Sequence, residues 1–377
     1  MRVAEETEAW RAAVRGLVDE LGVDYFRTRY REREYPHDLY DAVVERGWMA
    51  PPLPEAYGGP GRSHAETAVA LEELARYGYD FAMPVLLSAT GALTLVDHGT
   101  EAQRERLLPE VAAGECRFSI GLTEPESGSD AAGISTTARR EGDEYVVDGA
   151  KTYQSGALAP GNHVAAYVRT DPESERKDGL SCLLIPVETE GVEAERMDLV
   201  ARKAAGTYDL TFDGARVPVE NRVGPEGDGW SVLSDHLRTE HTYMAAAMGG
   251  TAREAVDRGL AAASDRERFG RPIGEFQAVS HRLADADREV EGARLLVARA
   301  ASRLDAGTAT RADAARAKLA AGEALRFAAD VATRTLGGTA LHADADVGRY
   351  WREGLSATVA GGTSDIQRAV LAAHLID

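Results

Sequence analysis

Chemistry could be carried by three stretches of the 377-residue chain. The first is Gly121–Asp130, a run dominated by Gly, Ser, Thr, Glu and Pro. Such residues favour turns and leave backbone N–H groups and hydroxyls free to meet a ligand. A hydrophilic interdomain loop is the alternative, because the run divides a helical pattern from strand-like runs. The second is Glu240. At helical spacing it shares a face with Leu237, Tyr243, Met244 and Ala247, at −3, +3, +4 and +7. A carboxylate on an apolar stripe is desolvated, so its pKa should rise toward neutrality, which suits a base for a weak carbon acid. A solvated carboxylate paired with Arg238 or His241 is the alternative. The third lies near the C-terminus. Gly337 and Gly338 allow close backbone approach to a ligand, and Thr363 opens a last helix whose N-terminus suits a phosphate.

The rest of the composition narrows the class. The chain is long enough for a large core and several domains. With 62 acidic against 43 basic residues the net charge is −19, spread along the chain. That repels nucleic acid and anionic membrane, so neither is an expected partner. No continuous apolar run of about 18 residues is present, and the charged, helical N-terminus does not read as a signal peptide. Cys116 and Cys182 are far apart and lack metal spacing, so buried thiols, no metal and a cytosolic protein are expected. Lys151, Lys177, Lys203 and Lys318 are the only lysines. Many carboxylates with few lysines suggest solubility in high salt, as in a halophile; a generally acidic, GC-rich proteome is the alternative.

Three domains should position these residues: helices over 1–119, a β domain over 120–222 and a helical bundle over 223–377. Helices are expected at Trp10–Leu21, His37–Gly47, Ser63–Tyr77, Leu86–His98 and Glu101–Ala113. Short apolar runs at Tyr145–Val147, His163–Arg169, Leu180–Pro186 and Tyr208–Phe212 predict a compact antiparallel sheet. Val232–Ser264, Gln277–Ala306, Arg311–Leu336 and Thr363–Leu375 predict a four-helix bundle. The fold class is α+β.

This order of elements and its motifs resemble the acyl-CoA dehydrogenase family from about Pro36 to the C-terminus. The matching residues are Glu55-Ala56-Tyr57-Gly58-Gly59, Leu122-Thr123-Glu124-Pro125 with Gly128-Ser129-Asp130, and Arg266-x-x-Phe269-Gly270 with Ile273, Phe276, Gln277 and Leu283-Ala284-Asp285. Leu336-Gly337-Gly338 and Gly362-Thr363-Ser364 complete the set. The resemblance implies FAD, an acyl-CoA substrate desaturated between Cα and Cβ, a homotetramer or homodimer, and an electron-transfer flavoprotein as electron acceptor.

It also implies roles. Leu122 and Thr123 meet the flavin ring, and Ser129 meets flavin phosphate or the CoA side. The family reads Lys-x-Trp-Ile-Thr-Asn where this chain has Lys151-Thr152-Tyr153-Gln154-Ser155-Gly156. Tyr153 keeps an aromatic plane and Ser155 a hydroxyl near flavin N5, on a more polar wall. Arg266 pairs with the pyrophosphate, while Phe269 and Gln277 meet the adenosine across a subunit boundary. Arg334, Gly337, Gly338, Thr363 and Asp365 complete the cofactor set, and Gly362 and His241 join Ser129 in meeting substrate. His241 stands where relatives carry Arg.

Most of the family has a glutamate base where this chain has Gly361, whose N–H can still bond the thioester oxygen. In isovaleryl-CoA and long-chain acyl-CoA dehydrogenases the base stands on the first C-terminal helix, at the position of Glu240. The implied reaction is proton abstraction by Glu240 with hydride transfer to flavin N5. The missing side chain at Gly361 leaves space for a branched or bulky acyl group. A flavin oxidase or monooxygenase on the same fold, or a non-catalytic acyl-CoA- or FAD-binding paralogue, are the alternatives.

Overall fold

The structure, a computed structural model, describes residues 2–174 and 176–376, with side chains from residue 5 onward. Met1, Glu175 and Asp377, which the expected domains include, lie outside the described residues. The first helix, α1 (Arg2–Glu32), turns at Gly22, where φ 73° and ψ 156° leave helical space. Its first half buries Trp10, Val14, Leu17 and Val18 on one stripe. Next come α2 (His37–Glu45) and α3 (His64–Leu74), which a capping box between Ser63 and Glu66 initiates. A second capping box, Thr100 with Gln103, starts α5 (Glu101–Ala112) after α4 (Met83–His98).

The segment Tyr79–His98 is long and apolar enough on average to cross a membrane, but 89% of its most apolar 18-residue window is buried inside the protein. Hydroxyls punctuate its apolar run, but they turn back onto their own helix. Thr90 Oγ1 donates to Leu86 O at 3.1 Å, and Thr94 Oγ1 to Thr90 O at 2.9 Å. The helix packs against α5, α6 and the first strand of the sheet.

Eight strands form the central sheet among the described residues: β1 (Arg117–Gly121), β2 (Thr137–Glu141), β3 (Glu144–Ser155), β4 (Asn162–Arg169), β5 (Leu180–Pro186), β6 (Val192–Arg196), β7 (Thr207–Pro218) and β8 (Arg222–Val223). The order is β6-β7-β3-β2-β4-β5-β8, with β1 beside β4. The sheet is mixed, not purely antiparallel as expected: β1 runs parallel to β4 along its whole length. The sequence pattern missed β1, β2 and β6; β2 and β6 are polar and largely exposed, so they carry little apolar alternation. Along β4, Ala165 and Tyr167 join the helical core, while Val164, Ala166 and Val168 join a second core on the other face of the sheet.

After the sheet come α6 (Gly229–Asp265), the two-residue strands β9 (Glu267–Arg268) and β10 (Arg271–Pro272), then α7 (Gln277–Asp305), α8 (Arg311–Leu336), α9 (Asp346–Ala357) and α10 (Ser364–Ile376). The four expected helices are present, and α9 is added to them; both α9 and α10 pack on α8. Two glycines inside α9 weaken its helical signature in the sequence. Backbone contact joins the helical layers at Gly250 of α6, where a Cβ would lie 1.9 Å from the Glu72 carbonyl of α3.

Candidate active site

A cavity of about 760 Å³ lies between two walls. One wall comes from the 122–132 loop, β3 and the 199–207 segment. The other comes from α6, α8, α9 and the 359–370 segment. Of the residues singled out from sequence, Leu122, Thr123, Ser129, Tyr153, Ser155, Glu240, His241, Gly361, Gly362 and Thr363 line it together.

The β wall is rigidly tied. Lys151 Nζ lies 2.7 Å from Glu124 Oε1 and 3.3 Å from the Leu122 carbonyl. Glu124 also accepts the Ser135 and Thr136 N–H groups, at 2.6 and 2.9 Å, and the Ser135 hydroxyl at 2.8 Å. Burial pushes Glu124 up, but Lys151 and these donors outweigh it and hold the carboxyl at about 2. The Thr152 N–H donates to Thr123 O at 2.8 Å, so the loop and β3 form one surface. A break in the ladder between Lys151 and Gln154 sets Tyr153 in the left-handed region, φ 58°, and 59% exposed. Gln154 is buried and does not line the cavity, so the polar wall expected of it is absent.

Arg202, which sequence reasoning missed, stands behind Ser155. It also has left-handed backbone, φ 60°, a strained conformation that surrounding contacts must hold. Its Nε donates to Asp80 Oδ1 and its Nη2 to Ser155 Oγ, both at 2.9 Å. Asp80 Oδ2 accepts the N–H groups of Ala204 and Ala205, at 2.7 and 3.1 Å. Nearby Glu353 is fully buried, and neither carboxyl oxygen has a hydrogen-bond partner among the described residues. Burial, reinforced by Asp80, raises it to about 8.

The helical wall is less completely paired. Glu240 is 4% exposed, with Oε2 at 3.4 Å from His236 Nε2. That separation is an ionic contact rather than a well-formed hydrogen bond. The expectation of a raised pKa is overturned. Burial pushes Glu240 up, but His236 and Lys318 outweigh it and hold the carboxyl below its usual range. The apolar stripe read from sequence left out His236, one turn earlier on α6, and Lys318, which only the packing of α8 brings near. Burial and the Lys318 charge push His241 down to about 3. It is therefore a neutral ring, not a cationic substitute for the relatives' Arg.

Lys318 is 2% exposed and donates to the Gly362 carbonyl at 2.6 Å. Gly361 and Gly362 are both left-handed, φ 62° and 83°. A Cβ at Gly361 would lie 2.9 Å from Met244 Sδ and 3.7 Å from Lys318 Cε. A side chain at this position would therefore meet Met244 rather than open space.

Seven of the residues assigned to the cofactor do not line the cavity: Arg266, Phe269, Gln277, Arg334, Gly337, Gly338 and Asp365. Arg266 Nη1 donates to the Thr335 carbonyl at 3.1 Å and to that of Leu336, capping α8 beside Gly337. Arg334 pairs with Asp330 at 2.7 Å, and Asp365 with Arg368 at 2.9 Å. Phe269 is 95% exposed.

This fold and cavity define the class. Family models for the acyl-CoA dehydrogenase N-terminal, middle and C-terminal domains match residues 4–115, 119–215 and 227–376. A probable acyl-CoA dehydrogenase, YngJ, of Bacillus subtilis is 34% identical, over 91% of this chain and 90% of its own. The caffeyl-CoA reductase-Etf complex subunit CarC of Acetobacterium woodii is 30% identical over the full length of both chains. The solved glutaryl-coenzyme A dehydrogenase–glutaryl-CoA complex superposes with a TM-score of 0.94 at 29% identity, covering 98% of this chain and 95% of that one.

The chain belongs to the acyl-CoA dehydrogenase family, FAD-dependent oxidoreductases that act on CH–CH groups. Its cavity fits the cofactor. About 760 Å³ is available, within the range of large ligand pockets. Arg176, Lys177, Arg238, Arg311 and Arg352 line it despite the acidic whole, which suits ligands bearing phosphates.

Proposed function

We propose that the protein desaturates an acyl-CoA thioester, with Glu240 as the base that removes the α proton. The observation that carries this reading is a buried carboxylate on α6, held ionised and lining the same cavity as the Gly361 turn. Its ionised state makes it ready to accept a proton, and its place on the cavity lining puts it within reach of a bound substrate. Bound FAD supplies the acceptor for the β hydride. Leu122, Thr123, Tyr153 and Ser155 form its wall, and the cations at the cavity receive phosphates. No hydrogen bond occupies the Gly361 N–H among the described residues, which leaves it free to bond the thioester oxygen and stabilise enolate charge.

Arg266, Arg334, Gly337, Gly338, Thr363 and Asp365 serve the pyrophosphate end of the cofactor, and exposed Phe269 and Gln277 serve it across a boundary between copies. The apolar surface at Phe269 and Leu341, 95% and 81% exposed, supports a homotetramer or homodimer. Electrons leave to an electron-transfer flavoprotein; a relative is itself a subunit of an Etf complex. We place the enzyme in the cytosol, and its acidic, lysine-poor composition supports work in high salt. The test is anaerobic bleaching of the bound flavin by a panel of short, branched, aromatic and long acyl-CoAs. Glu240→Gln should stay yellow and lose bleaching; unchanged bleaching rejects the base assignment.

A further inference from the structure

Behind Glu240, away from the cavity, lies a chain of polar groups that the proposed reaction does not use. Thr94 of α4 and His236 of α6 are buried, at 8% and 6% exposure. Thr94 Oγ1 carries one hydrogen. It lies 2.9 Å from the Thr90 carbonyl, which can only accept, and that bond takes the hydrogen. His236 Nδ1, 2.8 Å from the same oxygen, must therefore donate. The ring's other nitrogen, Nε2, faces Glu240 Oε2 at 3.4 Å, and neither atom has another partner among the described residues.

With a proton fixed on Nδ1, a neutral imidazole would present a lone pair to a carboxylate oxygen. Two buried acceptors facing each other repel. The pair is therefore built to hold one more proton, as imidazolium with carboxylate or as imidazole with carboxylic acid. The other charged or titratable groups near Glu240 are His241 on α6, Lys318 on α8 and Tyr167 on β4. His241 is neutral, and Tyr167 lies in the core with its hydroxyl protonated. Lys318 is positive and favours the ionised carboxylate.

We propose that His236 is a positioning residue: locked by Thr94 with its proton on Nδ1, it holds Glu240 Oε2 as an imidazolium partner and keeps the carboxylate ionised toward the cavity. This inference rests on Glu240 being the base. The ion pair sets the pH at which the base is ready, because a base works only when deprotonated. In His236→Leu the offsetting charge is gone and burial acts unopposed by it. The rising limb of the bleaching rate against pH should then move upward by about one unit or more. Thr94→Val frees the tautomer and should move the limb in the same direction by less.

Carboxyl infrared difference spectra against Glu240→Gln give a second readout without turnover. The carboxylic-acid band of Glu240 should give way to the carboxylate band at higher pH in His236→Leu than in the wild type. A limb unmoved and a band change at the wild-type pH in both variants overturn the proposal. Bleaching retained in Glu240→Gln overturns the base assignment instead, so the two failures are separate. If His236→Leu does not fold, Thr94→Val carries the same test.

Discussion

Two buried lysine–glutamate sites stand in the two walls of the cavity, and they are built differently. On the β wall, Lys151 and Glu124 touch at 2.7 Å, and the Ser135 and Thr136 N–H groups and the Ser135 hydroxyl complete the carboxylate. On the helical wall, Lys318 is bonded to the Gly362 carbonyl instead of Glu240, and Glu240 Oε2 has only the long contact to His236. Burial pushes both lysines down to about 8. The first site is satisfied and structural: it locks a loop to a strand. The second leaves a charged oxygen incompletely bonded. That costs stability, but it leaves the carboxylate free to exchange a proton.

This contrast can be broken or sharpened by substitution, from the largest expected effect downward. Glu240→Gln should lower the anaerobic bleaching rate by about 10²–10⁴-fold, the usual contribution of a positioned base, while FAD stays bound. Lys151→Met leaves Glu124 buried and unpaired. It should cost about 3–5 kcal/mol, read by denaturant unfolding, with no shift in the pH profile of whatever bleaching survives. Lys318→Met should do the reverse: a smaller loss of stability, and a bleaching limb moved to higher pH as Glu240 loses a favourable charge. If Lys151→Met moved the limb and Lys318→Met did not, the division between a structural and a functional pair would fail.

Glu353 of α9 supplies a separate pH test, of stability. Its folded pKa, raised by burial to about 8, lies above the unfolded carboxylate value. The protonated form is thus favoured by folding. Its contribution is fully present below about pH 4 and is lost as pH rises through 8. Glu353→Gln, fixed in the neutral form, should flatten the decline of melting temperature between about pH 5 and 9. The smallest effect should come from Gly361→Ala. A left-handed φ of 62° and contact with Met244 should cost about 1–2 kcal/mol.

Much of the architecture was legible because it is periodic or punctuated. α8 and β5 fall on the ranges that hydrophobic periodicity gives, Arg311–Leu336 and Leu180–Pro186. Strands β2 and β6 were missed because polar, exposed segments have little apolar alternation, and β1's parallel pairing depends on β4, more than forty residues away. In the site, the 122–130 loop was readable as a turn-rich segment, and Glu240 as a carboxylate on an apolar stripe. Its ionisation was misread, because the stripe shows burial but not the cations that offset it.

Local sequence therefore determined the α+β order, the turn that meets the ligand and the helix that carries the carboxylate. These follow from backbone preference and side-chain spacing within a few turns. Tertiary structure alone decided the carboxylate's charge state, the neutral form of His241, the approach of Met244 to Gly361 and the support of Ser155 by Arg202. Each depends on charge or volume brought from a distant element: Thr94 from α4, Lys318 from α8, Arg202 from the 199–207 segment and Asp80 from the turn before α4. Electrostatic and packing energies depend on separation in space, and the fold sets that separation.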